Sequence, residues 1–250
     1  MIKREEHDGI RVLRLEHGKA NALDLELVTA LEAELADAAA HAAARVLTGR
    51  NRIFCAGVDL FRLLDGGEDH VREFVPTLDR CFRAMCTHPG PLVAALNGHA
   101  IAGGCVIAAA ADRRVMAADV GRIGVTELLV GVPFPAVALE LVRQLVAPPI
   151  AQDLVLTGRT VDAATAQAMG LVDEIVPQAE VLDTALRAAR QLAAMPAATF
   201  AVTKRQLRAP LLAAVAQTAM LDAEVVARWR DPATHEAIRA YLDGLPKARG

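Results

Sequence analysis

The sequence predicts an α/β protein with a parallel sheet. Short apolar segments typical of strands alternate with longer amphipathic segments typical of helices from residue 10 to about residue 195. The chain has 250 residues, 54% of them hydrophobic, which is enough for one large core. Beyond about residue 196 the pattern is helical throughout. We therefore expect an α/β body over residues 1–195 and a helical region over 196–250, packed as one unit.

The first half of the chain begins with a strand and a helix. The segment "IRVLRL" (10–15) alternates apolar and polar residues as a half-buried strand does. After Asp24, a residue type that favours helix N-termini, apolar positions recur at helical spacing up to about residue 44. The remaining segments of this half are, in order, a buried strand at 44–49, a glycine-interrupted loop at 52–60, an amphipathic helix at 68–88 and a buried strand at 91–98.

The second half continues the alternation and then becomes helical. Its expected elements are a helix over 103–111, a strand over 113–118, a helix over 135–146 and a short strand over 170–176. A stripe of apolar residues at helical spacing then predicts a helix over 181–192. Further helices are expected to reach Tyr241.

Composition and charge argue against several classes of partner. The net charge is −3 with both signs spread along the chain, and aromatic residues make up 3%, so we expect no nucleic-acid partner. The charged N-terminus lacks the apolar core of a signal peptide, which favours a cytoplasmic protein. The apolar run 91–111 is long enough for a membrane span, but Asn97, His99 and a glycine pair interrupt it, so we expect two core elements and no membrane partner.

The four cysteines do not form a metal or disulfide pattern. Cys55, Cys81, Cys86 and Cys105 have no C-x-x-C spacing, and the seven histidines are scattered. We therefore predict free buried thiols and no metal site. Cys105 has no His or Asn partner in the sequence, so we do not assign it as a nucleophile.

Three glycine-bearing segments are the candidates for a site. They are "IFCAGVDL" (53–60), "NGHAIAGGCVIAAAAD" (97–112) and "IGVTELLVGVPF" (123–134), and each ends a strand-like segment. Ligands of α/β proteins bind beyond the carboxyl ends of strands, where helix N-termini present backbone N–H groups. The first two segments could therefore supply two backbone donors to one oxygen. The third supplies an isolated acid, Glu127, among apolar neighbours.

Four motifs resemble one family in their order and spacing. They are "ANALD" (20–24), "LTGRNRIFCAGVDL" (47–60), "NGHAIAGGCVIAAAAD" (97–112) and "LTGRTVDAATAQAMGLVDEIVP" (156–177). The sequence resembles the crotonase (enoyl-CoA hydratase/isomerase) family over nearly its whole length. The resemblance implies a crotonase-like spiral of ββα units, a C-terminal helical trimerisation region and binding of an acyl-CoA thioester. It further implies a homotrimer or a dimer of trimers, and no cofactor besides the coenzyme A of the substrate.

The same resemblance implies roles for individual residues. The backbone amides of Val58 and Gly103 would hold the thioester carbonyl oxygen, and Glu127 would be the acid/base. We expect a side chain at Gly103 to collide with the thioester. The other expected substrate contacts are Ala20, Ala56, Asp59, Leu60, Gly104 and Val106, with Asp59 more a helix cap than a catalyst. The candidates for the coenzyme A phosphates are Lys19, Arg50, Arg52 and Arg62.

The sequence departs from the family's hydratases at one position. Hydratases use two glutamates to hold water; here the first position is Val106, and only Glu127 remains. Family isomerases resemble this chain in having "AGGC" followed by an apolar residue. Pro133 and Pro135 also lack backbone donors in the segment after Glu127. We therefore predict double-bond isomerisation. The alternatives are a hydratase with a differently held water and a catalytically silent acyl-CoA-binding scaffold.

Overall fold

The structure, a computed structural model, describes residues 1–38 and 43–244 and contains two sheets. The larger sheet has the order β1-β2-β3-β5-β7-β10 and the smaller has the order β4-β6-β8-β9. The larger sheet consists of β1 (Ile2–His7), β2 (Ile10–Leu15), β3 (Ala44–Thr48), β5 (Leu92–Leu96), β7 (Arg113–Ala117) and β10 (Glu174–Val176). The smaller consists of β4 (Ile53–Cys55), β6 (His99–Ile101), β8 (Ile123–Gly124) and β9 (Thr160–Val161).

All strand pairs are parallel except β1 with β2 and β8 with β9, which confirms the predicted parallel α/β architecture. Helices cover both faces of the larger sheet. The α-helices of the described chain are α1 (Leu25–Ala38), α2 (Leu60–Thr87), α3 (Gly103–Ala110), α4 (Glu127–Val130), α5 (Ala136–Leu145), α6 (Pro148–Thr157), α7 (Ala163–Met169), α8 (Val181–Ala193), α9 (Ala197–Thr218), α10 (Asp222–Arg230) and α11 (Pro232–Gly244).

The period of two along each central strand divides the core into two parts. On β5, Val93 and Ala95 belong to the smaller apolar cluster, which α8 completes with one face. The alternate residues Leu92, Ala94 and Leu96 belong to the main core on the other side. Strands that are buried on both faces have continuous apolar sequences, which is why β5 lacks polar residues.

Several boundaries differ from the sequence predictions. The first helix does not reach residue 44, because β3 begins at Ala44; residues 39–42 lie outside the described part of the chain. The charged N-terminus forms the edge strand β1, where charged side chains are common. The second helix begins at Leu60 rather than 68 and is kinked at Gly67, whose φ is 62°. The glycine pair at 66–67 therefore interrupts a helix instead of preceding one.

The C-terminal helices pack on the body and contribute to its core. Leu211 and Val215 of α9 are buried in the main cluster, whereas Leu207 and Met220 are exposed. By length and composition alone, the helical run Ala197–Arg230 is long and apolar enough to cross a membrane, and most of its residues are exposed. The C-terminal helices thus have one face in this chain's core and another free of contacts within the described chain.

Candidate active site

Three neighbouring parallel strands of the smaller sheet carry the predicted site residues. Strands β4, β6 and β8 lie side by side and run in the same direction. Val58 follows β4, Gly103 follows β6 and Glu127 follows β8 within three residues of each strand end. Because the carboxyl ends of parallel strands meet at one edge of a sheet, the three segments converge there.

The "ANALD" segment fixes the loop that carries Val58. The Leu23 amide donates to the Gly57 carbonyl oxygen at 2.7 Å, and the Leu23 carbonyl oxygen accepts from the Asp59 amide at 2.9 Å. The Ala56 amide donates to the Ala20 carbonyl oxygen at 3.1 Å. Leu23 therefore binds the residues on either side of Val58 and leaves the Val58 N–H pointing away from this bridge.

Each of the two candidate donor amides follows a residue with positive φ. Gly57, with φ 88°, precedes Val58, and Ala102, with φ 50°, precedes Gly103. A Cβ on Gly57 would lie 2.8 Å from the Ala102 Cβ, so the two loops are in contact. Across the described chain, no hydrogen-bond acceptor is recorded for the amide of Val58 or of Gly103. The site therefore holds two unpaired N–H donors on adjacent loops.

The glycine pair at the start of α3 permits two close approaches within the protein. A Cβ on Gly103 would meet the Leu23 Cδ1 at 2.7 Å, so a side chain there requires Leu23 to move. A Cβ on Gly104 would lie 2.2 Å from the Cys55 carbonyl oxygen. Gly104 thus allows α3 to approach the backbone of β4, and Gly103 accommodates the "ANALD" loop.

A cavity of about 70 Å³, partly open to solvent, lies beside these loops. Its wall is mainly apolar, and Glu127 is the one carboxylic acid among the described residues that line it. The lining residues are Ala56, Val58, Leu60, Leu78, Phe82, Ile101, Ala102, Gly103, Thr126, Glu127, Val130, Val132, Pro135, Ala138, Trp229 and Tyr241.

Glu127 is buried and partly unpaired. It begins the four-residue helix α4, and 8% of its surface is exposed. Burial raises its pKa from 4.5 to about 7, while hydrogen bonds from the backbone amides of Glu127 and Thr126 act in the opposite direction. Its Oε2 has no partner within the described residues. A carboxyl group with a pKa near neutrality and a free oxygen is suited to accept and return a proton.

The cavity includes part of the set of residues predicted from the sequence. Ala56, Val58, Leu60, Gly103 and Glu127 line it. The other four lie outside its wall. The Ala20 carbonyl oxygen accepts a hydrogen bond from the Ala56 amide, and Gly104 lies against the backbone of β4. Val106 is fully buried in the core. Asp59 caps α2 by accepting a hydrogen bond from the Arg62 amide at 3.1 Å. The expectation that Asp59 acts as a cap is confirmed.

Two lining residues come from helices that the sequence analysis assigned to subunit packing. Trp229 lies on α10 and Tyr241 on α11. The signal that could have identified Trp229 is that it is the single tryptophan of the chain. Leu78 and Phe82 of α2 were also missed, since their apolar spacing is that of any core helix.

The thiols and the basic residues lie outside this cavity. All four cysteines are free and buried, as predicted, and burial raises the pKa of Cys105 to about 12. Within residues 1–38 and 43–244, no group of three potential metal ligands comes together. Of the phosphate candidates, Arg50 Nη2 donates to the Gly18 carbonyl oxygen at 2.7 Å, and Arg62 Nη1 lies 2.5 Å from Glu26 Oε1. Lys19 and Arg52 are exposed.

Comparisons with known proteins identify the family of the chain. The family profile described as Enoyl-CoA hydratase/isomerase matches residues 5–247. A 2,3-dehydroadipyl-CoA hydratase of Escherichia coli is 31% identical over 226 residues, covering 89% of this chain and 86% of that protein. The chain therefore belongs to the enoyl-CoA hydratase/isomerase family.

Solved structures include similar proteins named for each of the two reactions. Human mitochondrial delta3-delta2-enoyl-CoA isomerase superposes with a TM-score of 0.92 at 25% identity, covering 100% of this chain and 99% of its own. The enoyl-CoA hydratase EchA3 of Mycobacterium ulcerans superposes with a TM-score of 0.81 at 28% identity, covering 96% of this chain and 99% of its own. The fold is thus the crotonase fold, as the motifs predicted.

Proposed function

We propose that this protein moves a carbon–carbon double bond in an enoyl-CoA thioester, with Glu127 as the one acid/base. The observation that carries the proposal is the buried carboxyl group of Glu127, which is the one acid among the described residues of the cavity wall and whose Oε2 has no partner among them. Isomerisation requires one group that takes a proton from one carbon and returns it to another. Addition of water requires the water itself to be held and activated.

The proposed reaction begins with a 3-enoyl-CoA whose thioester oxygen accepts hydrogen bonds from the amides of Val58 and Gly103. Glu127 takes a proton from C2, and the electron pair of that C–H bond forms a dienolate whose charge lies partly on the thioester oxygen. The two amides stabilise that charge, and one such donor is typically worth about 3 kcal/mol. Glu127 then returns the proton to C4, which gives the 2-enoyl-CoA and restores the carboxylate. No cofactor enters this sequence.

Hydration is the second candidate, because similar proteins carry hydratase names. Thr126 lines the cavity next to Glu127 and could hold a water with it. Against hydration, Val106 is fully buried in the core and offers no polar group where the hydratases have a second glutamate. A silent acyl-CoA-binding scaffold is the third candidate, and it predicts binding without turnover.

We further propose that the protein is a cytoplasmic homotrimer or dimer of trimers. The support is the exposed apolar surface of the C-terminal helices, where Leu207 is 71% and Met220 is 83% exposed. Light scattering that shows a stable monomer at micromolar concentration would contradict the trimer.

For the coenzyme A phosphates we propose Lys19, Arg50 and Arg52, while Arg62 is already paired with acids.

A panel of enoyl-CoA substrates tests the proposed reaction. The conjugated 2-enoyl thioester absorbs in the ultraviolet, so its appearance from a 3-enoyl-CoA reports isomerisation, and its loss from a 2-enoyl-CoA reports hydration. We expect the 2-enoyl absorbance to appear rapidly from 3-enoyl-CoA and to be lost slowly from 2-enoyl-CoA. Fast loss would establish the hydratase, and neither signal together with tight acyl-CoA binding would establish the scaffold.

A further inference from the structure

Trp229 forms part of the cavity wall from a distant part of the chain. It is 1% exposed, and it shares the cavity with Val58, Gly103 and Glu127. In the proposed reaction the thioester lies against the loops of Val58 and Gly103. The acyl group must therefore lie against the remaining wall, to which Trp229 contributes the largest side chain.

Three contacts hold Trp229 and its neighbour in place. The indole Nε1–H donates to the Pro133 carbonyl oxygen at 2.9 Å, and His235 Nε2 lies 3.1 Å from the Trp229 carbonyl oxygen. The next residue, Arg230, forms an ion pair with Glu68 of α2. A buried indole that is bonded at its nitrogen cannot turn aside without losing that hydrogen bond. The wall is therefore rigid at this point.

The chemistry of the wall also restricts the acyl group. Leu78, Phe82, Val132 and Ala138 contribute apolar surface to the same cavity, and the polar N–H of the indole is already paired. The polar side chains that line the cavity are those of Thr126, Glu127 and Tyr241, and none of the described lining residues is a cation. A negatively charged acyl terminus would therefore be buried there without an oppositely charged partner, which is unfavourable.

We propose that Trp229 closes the acyl chamber and limits the length of the unsubstituted aliphatic chain that the protein accepts. The inference rests on the proposed binding of acyl-CoA and adds the class of acyl group. Trp229 acts as a specificity residue, since the terminal part of the chain would contact its indole ring. It takes no part in proton transfer.

Calorimetric titration with saturated acyl-CoAs tests the inference without relying on turnover. The series is free CoA, then acetyl-, hexanoyl-, decanoyl- and palmitoyl-CoA, with the wild type, Trp229→Ala and Trp229→Phe. Each buried methylene should tighten binding about fourfold until the chain meets the wall. We expect the wild type to stop gaining affinity within this series. Trp229→Ala should continue to gain affinity as the acyl chain lengthens and should bind palmitoyl-CoA at least tenfold more tightly than the wild type. Trp229→Phe should keep the wild-type limit on chain length.

Two further variants separate specificity from stability. Leu211→Ala removes buried apolar volume from α9 outside the cavity, so it should lower the melting temperature and keep the wild-type limit. If Trp229→Ala does not fold, Trp229→Leu is used in its place. We expect Trp229→Leu to bind palmitoyl-CoA more tightly than the wild type as well, by a smaller factor. An unchanged length limit in a folded Trp229→Ala or Trp229→Leu, or a wild type with no limit, overturns the inference alone.

A length-matched pair tests the apolar character of the chamber. Hexanoyl-CoA should bind at least tenfold more tightly than adipyl-CoA, which differs by a terminal carboxylate. Equal affinities overturn the aliphatic assignment. A wild type that binds no acyl-CoA more tightly than free CoA overturns the proposed function itself, so the two failures are distinguishable.

Discussion

The two ends of α3 differ in how their backbone groups are satisfied. At the C-terminal end, the carbonyl oxygen of Ala111 accepts from Arg114 Nη1 at 2.9 Å, and Arg208 Nη2 donates to the Ala110 and Ala111 carbonyl oxygens at 3.2 and 3.3 Å. At the N-terminal end there is no side-chain cap, Ala102 has a positive φ, and the Gly103 amide has no recorded partner in the described chain.

The difference separates an end that the protein's own side chains satisfy from an end whose N–H groups have no partner in the described chain. Cations at a helix C-terminus and anions at its N-terminus both interact favourably with the helix dipole. At the C-terminal end of α3, which we call the anchored end, the protein itself supplies the cations Arg114 and Arg208. The N-terminal end, the cavity end, is left with free N–H groups beside a buried acid, where an oxygen carrying negative charge would be stabilised.

The largest expected effect is at the cavity end. Glu127→Gln should lower kcat by about 10³-fold, since an amide cannot accept the proton, and general acid–base catalysis contributes on this scale. Steady-state kinetics with 3-enoyl-CoA measures the loss. Acyl-CoA affinity should stay within a few-fold of the wild type, and a wild-type rate in this variant would remove Glu127 from the proposed role.

The same substitution should change how stability depends on pH. The folded-state pKa of Glu127 is raised from 4.5 to about 7, so the wild type loses stability as the pH rises through this interval. The shift corresponds to about 3 kcal/mol by pH 8. Denaturant unfolding of wild type and Glu127→Gln at pH 5 and pH 8 measures the difference. Between pH 5 and pH 8, the free energy of unfolding of Glu127→Gln should rise relative to that of the wild type by about this amount. A difference that stays constant between the two pH values would mean that the carboxyl group is not desolvated.

A substitution at the anchored end should lower the stability of the protein and leave its activity unchanged. Lys204 Nζ lies 2.7 Å from Asp112 Oδ2 and donates to the Gly90 carbonyl oxygen at 3.1 Å, which ties α9 to the segment after α3. Lys204→Met should lower the free energy of unfolding by about 2 kcal/mol, because Asp112 keeps the Leu92 amide as a partner. Urea titration checks the loss, and kcat should be unchanged. Lys204→Arg, which keeps the charge, is the control; equal losses in both would show that packing, not the ion pair, is responsible.

The smallest expected effect concerns the position of one amide. In Gly103→Ala the new methyl must displace the Leu23 side chain, which can move, so the protein should fold with a shifted donor amide. We expect kcat to fall about tenfold, less than the full loss of an oxyanion donor. Gly104→Ala is the contrasting variant, since its methyl meets the Cys55 backbone, and we expect little folded protein. A fully active Gly103→Ala would place the oxyanion site elsewhere.

Much of the fold and part of the site were predictable from the sequence. Strands such as β2 and β5 and helices such as α8 have a clear period, and the segments that carry Val58, Gly103 and Glu127 are marked by glycines. The short elements β6, β8, β9 and α4 have two to four residues each, too few to show a period.

The missed parts of the site depend on tertiary packing. Trp229 is more than 90 residues from Pro133, whose carbonyl oxygen it binds, and nothing local indicates that contact. Gly103 was identified from its motif, whereas the approach of its missing Cβ to Leu23 is a property of the folded backbone. Local patterns therefore identified the loops of the site, whereas the opposite wall required the structure.

The central claim is that one carboxyl group, Glu127, carries one proton between two carbons. The direct test is a 3-enoyl-CoA labelled with deuterium at C2, converted in ordinary water and analysed by mass spectrometry and NMR after a single turnover. Because Glu127 is buried and its Oε2 has no partner in the described chain, we predict that part of the deuterium appears at C4 of the 2-enoyl-CoA. A product whose new C4 hydrogen comes wholly from solvent would contradict the single-acid account.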